Sequence, residues 1–512
     1  VWEKVVRKMR GHQMPPPGSP QPKLQDSETF VAALESKLDA PSKGPRAGFV
    51  AIQRLNRTEY AATIKDLVGV DLKATEVLPQ DIQVEGFDNI AAALSVSPAF
   101  LDQYVAAARH VAELAVGSPN PRASTVRYSM SAYQNADDPP PPGTRGGMKF
   151  KHNFPADGEY RISIPDLGVT PYTASLENVN TLVVLIDGKT VIRKNIGGAE
   201  DLALGDRKAG TGRSAIMDRF TKMPVQVKAG TRDVAVAFVE RSRVESDENL
   251  KVLAPYAGLT GGLASTDRMA HIVDGVEISG PFNASGISQT PSRALLFVCD
   301  PKAIGEAPCA RQIGESLATR AFRRPVTTEE IGRLIPFYEA GRRNGGSFDQ
   351  GIQQLVAAVL VSPQFLYRGI HSSPKNETTL TDLELASRLS FFLWNTGPDR
   401  ELLALASSNG LSKPGAMEKQ VKRMLADPRA SSLVSSFAMK WLNLTTLDQV
   451  IPDPVLFPSF TEQLRRDFLR ETEEFVRSVF ADDRSVVDLI TGDYTFVNDR
   501  LAKHYRSEEH TS

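Results

Sequence analysis

Apolar positions recur along this chain with two periods, and the period changes twice. Between residues 54 and 117 the spacing is helical. Tyr60, Ile64, Leu67 and Val68 share one face, and Leu101, Tyr104, Val105, Ala108 and Val111 share another. Asn56 and Glu59 have capping-box spacing, and Gly69 is a suitable stop. Ser97-Pro98 opens the second helix, where proline is tolerated in the first turn. Gly86-Phe87-Asp88-Asn89 reads as a turn between them.

From about 144 to 295 the period falls to two. Lys149 to His152, Tyr160 to Ile164 and Val234 to Phe238 read as strands. The pairs Asp157-Gly158, Asp187-Gly188 and Ala229-Gly230 lie beside them, and the first two are strong hairpin signals. Short strands with turns between them predict an antiparallel sandwich or jelly roll. After Cys299 the helical period returns. Thr327 with Glu330, Ser347 with Gln350, Thr381 with Glu384 and Ser459 with Glu462 all have box spacing. Behind them run Ile352, Leu355, Val356 and Val359, then Leu385, Leu389 and Leu393, then Leu464, Phe468, Phe475 and Val479. A packed helical array follows, with Pro336 expected to kink one helix.

The expected fold class is therefore multidomain α+β. Helical domains flank an antiparallel, jelly-roll-like β-sandwich, and the C-terminal half is mainly α-helical. Proline and glycine mark the joints: Pro15 to Pro20, Pro41 to Pro45, Gly117 to Pro121, and Asp137-Asp138 running into the stiff Pro139 to Pro142. The segments are 1–42, a small helical domain 50–117, the sandwich 144–295, and helical domains 299–371 and 378–505, with no internal repeat.

Composition narrows the function classes without naming one. Lys and Arg number 60 against 61 Asp and Glu, a net charge of -1, which argues against a general nucleic-acid binder. No apolar run approaches the ~20 residues of a bilayer span, so no transmembrane segment is expected in this sequence. Two cysteines exclude a disulfide-rich scaffold and a four-cysteine zinc site. The histidines, His12, His110, His152, His271, His371, His504 and His510, never take the i, i+4 spacing of metalloproteases.

Several short motifs occur in a specific order: Arg54-Leu-Asn-Arg-Thr-Glu-Tyr60, Gly86-Phe-Asp-Asn89, Arg320-Ala-Phe-Arg-Arg-Pro325, and Leu360-Val-Ser-Pro-Gln-Phe-Leu366. Glu384-Leu-Ala-Ser-Arg-Leu-Ser-Phe-Phe-Leu-Trp394 and Tyr494-Thr-Phe-Val-Asn498 follow. Over about 50–116 and 290–505 the chain resembles a multidomain family first described in planctomycetes. That family is built from domains of unknown function beside c-type cytochrome domains. The resemblance implies that 144–295 is similar to calcium-dependent, xylan-binding carbohydrate modules, although no ligand motif is evident there. It carries over no catalytic residues.

The same resemblance makes residues 1–42 look like the back end of a cytochrome c domain. Met14, in Gly11-His12-Gln13-Met14-Pro15-Pro16 before the amphipathic stretch 27–39, stands where such cytochromes hold the axial thioether of haem c. Cys-x-x-Cys-His is absent, so this chain as given cannot attach haem; that motif is expected upstream in the intact protein. A cytochrome context implies an oxidising compartment, periplasmic or extracellular, and favours a bridge between Cys299 and Cys309. Such a bridge contributes about 2–3 kcal/mol where geometry permits, and two buried free thiols are the alternative.

Other features have plain readings beside functional ones. Arg320, Arg323 and Arg324 suit an anion or a helix C-terminus. Glu384 and Arg388 are spaced as a helix-surface pair. Glu471 to Glu474 and Asp482-Asp483 suit a divalent ion or a solvated face. Trp394 and Trp441 sit among apolar residues and read as core rather than sugar platforms. Asp157, Asp187, Asp201, Asp206 and Glu240 are the acids available to a calcium site in the sandwich, with turn formation explaining the first two.

The chain begins at Val1, without an initiator Met or a signal peptide, which says nothing about export. Arg506-Ser-Glu-Glu-His-Thr-Ser512 matches the in-frame translation of a widely used sequencing-library adapter, so 506–512 are expected not to be native. The leading expectation is an exported, cytochrome-associated protein that binds polysaccharide, with an electron-transfer partner acting on or near the bound glycan. Its rivals are an enzyme with an unrecognised site in the helical region, and a structural surface protein using the sandwich as an interaction module. No nucleophile elbow, metal triad or phosphate loop supports the first rival.

Overall fold

The computed structural model describes residues 2–16, 18–38, 52–94, 98–118, 121–129, 141–169, 174–207, 211–239, 270–369, 380–453, 456–457 and 460–505. Ser97, Pro41 to Pro45, Asp137 to Pro140, Glu240, Ser459 and the tail 506–512 lie outside them. The chain forms two compact units, residues 1–51 with 370–380, and residues 52–369 with 381–512. The architecture is mixed, with antiparallel sheets and a mainly helical C-terminal region.

The smaller unit holds two helices, Trp2–Arg10 and Leu24–Leu38, linked by Arg10 to Glu35 at 2.7 Å. The loop between them is gathered by Gln21, whose amide donates to the carbonyls of Pro15, Pro16 and Ser19. Within these helices only Val31 is buried, so hydrophobic burial contributes little to their pairing.

In the larger unit, two segments far apart in sequence share one core. Helices Arg57–Val68 and Pro98–Val116 pack with Glu306–Ala321, Thr328–Arg342 and Phe348–Val361. Leu55, Tyr60, Ile64, Tyr104 and Val111 join Ile313, Leu317, Ile352, Leu355 and Phe365 in a single cluster. A two-residue antiparallel ladder, Gln53 with Arg368 and Arg54 with Tyr367, closes the same body. The expected helical segments 50–117 and 299–371 thus contribute to one core.

Local signals determined the helix ends. Asn56, Thr327, Ser347 and Thr381 all form complete capping boxes, and Gly69 ends its helix at φ +69°. Helix Thr328–Arg342 continues through Pro336. The last long helix, Glu462–Ala481, is capped by Thr461, whose hydroxyl accepts from Leu464 N.

The sandwich interrupts this body. Its strands are β1 (Ser124–Tyr128), β2 (Thr144–Phe154), β3 (Asp157–Ser163), β4 (Asn180–Ile186), β5 (Lys189–Ile196), β6 (Met223–Val227), β7 (Gly230–Val239) and β8 (Val276–Gly286). Two four-stranded antiparallel sheets run β1-β8-β3-β6 and β2-β7-β4-β5. Phe154, Tyr160, Ile162, Leu182, Val184, Val236, Phe238 and Ile278 fill the space between them. Asp187-Gly188 makes the expected hairpin, both residues at positive φ, joining β4 to β5. The other two turn pairs are not hairpins. Asp157-Gly158 and Ala229-Gly230 each carry the chain from one sheet to the other. β2 also bulges between Arg145 and Met148, and a Cβ on Gly147 would stand 2.0 Å from the Val236 carbonyl.

Beyond residue 380, helices Asp382–Trp394, Arg400–Ser407 and Ala416–Leu425 enclose Ala386, Leu393, Trp394, Leu402 and Met424. Val434, Ala438, Met439 and Val476 form a smaller cluster nearer the C-terminus.

Candidate functional site

The short motifs, scattered over the sequence, converge on one buried polar network. Arg54 donates to Asp81 at 2.6 Å and to the Tyr104 hydroxyl at 2.7 Å, with its guanidinium 4.4 Å over Phe100. The second oxygen of Asp81 accepts the Arg57 N–H at 2.6 Å. Asn56 caps its helix and donates its amide to Asp88 at 2.8 Å, which Lys440 also reaches at 2.6 Å. Glu59 accepts from Asn56 N at 3.0 Å and from Arg368 at 2.6 Å, and Arg368 lies 4.1 Å over Phe391.

Burial governs the charges here. Glu59 is 2 % exposed, and its carboxyl pKa is raised by desolvation, which outweighs the lowering effect of Arg368. Arg323 is pushed down to about 9, first by burial and then by Arg368. Both oxygens of Glu59 and of Asp81 are already engaged with internal donors. Of the buried groups named here, only Arg54 Nε and Arg368 Nε lack a hydrogen-bond partner among the described residues. A buried network of this kind ties distant segments together; it is not arranged as a nucleophile with its base.

The three arginines of 320–324 have different tasks. Arg323 donates to the carbonyls of Ala321, Gln364, Phe365 and Tyr367, and Arg324 clasps Glu330 at 2.6 and 3.0 Å. Arg320 donates to Leu67 O and Leu295 O, and it alone of the three lines a groove. Sequence reasoning missed Asp81, Arg368 and Lys440, and read Tyr104 only as part of an apolar helix face. None carries a local signal, since each matters only through a partner far away in the chain.

In the sandwich, three of the five acids available to calcium are engaged with internal donors. Asp157 accepts from Ala229 N, Ser288 N, Ser288 Oγ and Lys228. Burial opposes its ionisation, yet these bonds hold its pKa down to about 2. Asp187 receives Arg232 and Asp233 N, and Asp201 receives Gly197 N and Arg219. Among the described residues no three His, Cys, Asp or Glu side chains are placed to hold a metal ion. Asp157, Asp187 and Asp201 are thus engaged at turns and corners.

The outer face of sheet β1-β8-β3-β6 is different. Thr125, Ser279 and Arg161 form one cross-strand row, Arg127, Glu277 and Ser163 a second, and Phe282, Glu159 and Gln226 a third. Thr125 and Ser279 hydroxyls meet at 2.9 Å, Arg127 approaches Glu277 at 3.8 Å, and Arg161 pairs with Glu159 at 3.3 Å while stacking 4.3 Å over Phe282. On the opposite sheet the outward Ala235, Ala237 and Val183 are buried, and its polar outer pairs, Thr231 with Asn153 and Thr181 with Asn195, lie towards the strand ends.

Met14 lies in the loop between the first two helices, 40 % exposed. Covalent haem requires a free Cys-x-x-Cys-His, whereas Cys299 and Cys309 are joined to each other in the structure. The residues present do not fit haem c attachment. Trp394 is core, its indole N–H donating to Met424 O at 2.9 Å. Trp441 is not: it is 58 % exposed and stacked on Phe437 at 6.3 Å, in an exposed apolar patch that includes Leu442. Glu471 receives Thr495 and Tyr505 hydroxyls, Glu474 pairs with Arg470 and Arg477, and Asp482 with Arg484. His504 packs against Phe468.

A helical body with an inserted antiparallel sandwich is the class of protein these elements define. Residues 53–117 match the family described as PSD3, protein of unknown function (DUF1587). Residues 309–369 match PSD5, protein of unknown function (DUF1595), and residues 380–506 match PSD4, protein of unknown function (DUF1592). The three domains are those of the cytochrome-associated, planctomycete-type set. No curated protein and no solved structure matches the chain.

Proposed function

We propose that this protein is a polysaccharide-binding component of a cytochrome-associated system, with the glycan held on the outer face of sheet β1-β8-β3-β6. The supporting observation is the three-row field of Thr125, Arg127, Glu159, Arg161, Gln226, Glu277 and Ser279 beside Phe282. Donors and acceptors alternate there at strand spacing, about 4.8 Å. Sugar hydroxyls both donate and accept, so they can bridge such neighbours. Several of these side chains already hold one another, which lowers the ordering entropy that binding must overcome.

The assigned role is binding, not turnover. The experiment is affinity electrophoresis and calorimetric titration of the full chain against xylan and a panel of other glycans, with calcium and with chelator. Binding should survive the chelator and be lost in Arg161→Ala and Phe282→Ala. A folded chain that binds no glycan of the panel in either condition, or variants that bind as well as wild type, would refute the proposal.

A further inference from the structure

Helices Glu306–Ala321 and Arg400–Ser407 line an open groove of about 410 Å³, a volume within the range of small-molecule sites. Two guanidinium groups face it. Arg320 is set in place by the carbonyls of Leu67 and Leu295, at 2.9 and 3.3 Å, which orient it without cancelling its charge. Arg400 is exposed, and its guanidinium has no hydrogen bond or ion pair among the described residues.

The carboxylates flanking Arg400 in sequence are committed elsewhere. Asp399 pairs with Arg423 at 2.7 Å, and Glu401 meets Arg423 at 3.3 Å and Gln420 at 2.9 Å. Arg320 is pushed down to about 10, first by burial and then by Arg400, as expected of like charges sharing a space without a counter-ion. The hydroxyls of Ser316 and Ser407 and the apolar side chain of Leu403 complete the walls, and the exposed Glu315 stands among them. Two cations and one carboxylate leave an excess of one positive charge, which suits a monoanion better than a phosphate dianion. Hydroxyl groups beside an apolar wall suit a sugar ring.

We propose that this groove binds a hydroxylated monocarboxylate of the uronic-acid class, its carboxylate between Arg320 and Arg400 and its hydroxyls on the serines. The site is separate from the sandwich face and does not depend on it. A free sugar acid and a uronate unit of an acidic polysaccharide carry the same group.

The test is calorimetric titration of the full chain with sodium glucuronate, with polyglucuronate as the polymer arm and glucose and inorganic sulfate as comparisons. Glucuronate should bind about tenfold tighter than glucose or sulfate, and Arg400→Ala should weaken it by about tenfold, the loss expected for one charge-assisted contact. Arg400→Gln should do the same, while Phe282→Ala leaves glucuronate binding unchanged. An unchanged thermal midpoint in either Arg400 variant confirms that the fold is retained. Polymer binding that follows the Arg400 variants would assign the uronate unit as a source, and polymer exclusion would assign the free acid. Sulfate binding as tightly as glucuronate, glucose binding as tightly, or indifference to both Arg400 variants would each overturn the proposal.

Discussion

Acidification should loosen the sandwich through His152. This residue points inward from β2; Nδ1 meets the Tyr128 hydroxyl at 2.8 Å, and the ring lies 4.5 Å from Phe154. Burial pushes its pKa down to about 4, against about 6.5 in an unfolded chain. Between these values the unfolded state carries a proton that the folded state refuses, so stability rises with pH across that window. It is complete above about pH 6.5 and lost as the pH falls towards 4. A shift of about 2.5 units at 1.36 kcal/mol each gives about 3 kcal/mol. The window stands clear of Asp157, whose pKa of about 2 removes stability only at lower pH, below the ordinary carboxylate value of about 3.8. Imidazole NMR titration gives the pKa directly. Amide hydrogen exchange in β2 and β7, followed from pH 7 to pH 4 (roughly the window above), gives the local stability. His152→Gln should flatten that pH dependence while leaving the strands paired at pH 7. An imidazole titrating near 6.5, or an equal slope in the variant, would refute the reasoning.

Arg368→Met strands the buried Glu59 carboxylate and should lower stability by about 3–5 kcal/mol; adding Glu59→Gln should recover part of it, as read from thermal midpoints. A loss under about 1 kcal/mol would mean that the pair is solvated or dispensable. Gly147→Ala forces a Cβ against the Val236 carbonyl and should prevent the β2–β7 pairing, whereas Gly205→Ala, with open space at its Cβ, should be tolerated; circular dichroism and proteolysis distinguish them.

Helix ends were legible because their causes are local. A capping box needs only two residues three apart, and four of the five expected boxes lie in the described residues and are complete there. The alternating period likewise announced two antiparallel sheets. Strand pairing was less legible. Asp157-Gly158 carries the chemistry of a reversal, and reversal is all it encodes. Whether the flanking strands then pair or part to different sheets depends on which faces need covering. Here Asp157 clasps a corner, because Ala229 from the β6–β7 turn and Ser288 from the segment after β8 donate to it.

The motifs show the same division. Arg54, Glu59, Asp88 and Arg323 were visible as text, yet their partners Asp81, Arg368 and Lys440 lie up to hundreds of positions away, and no periodicity links them. Trp394 and Trp441 stand in similar apolar surroundings in sequence, but only packing buried the first and left the second in solvent. The helical and strand periods, the caps and the order of the segments could be read residue by residue, since these follow from contacts within a few residues. Long-range packing alone brings 52–117 and 291–369 into one core, sets the turn acids at corners, and turns Arg320 and Arg400 towards one groove. Those outcomes depend on desolvation and charge between groups that the chain brings together only when it folds.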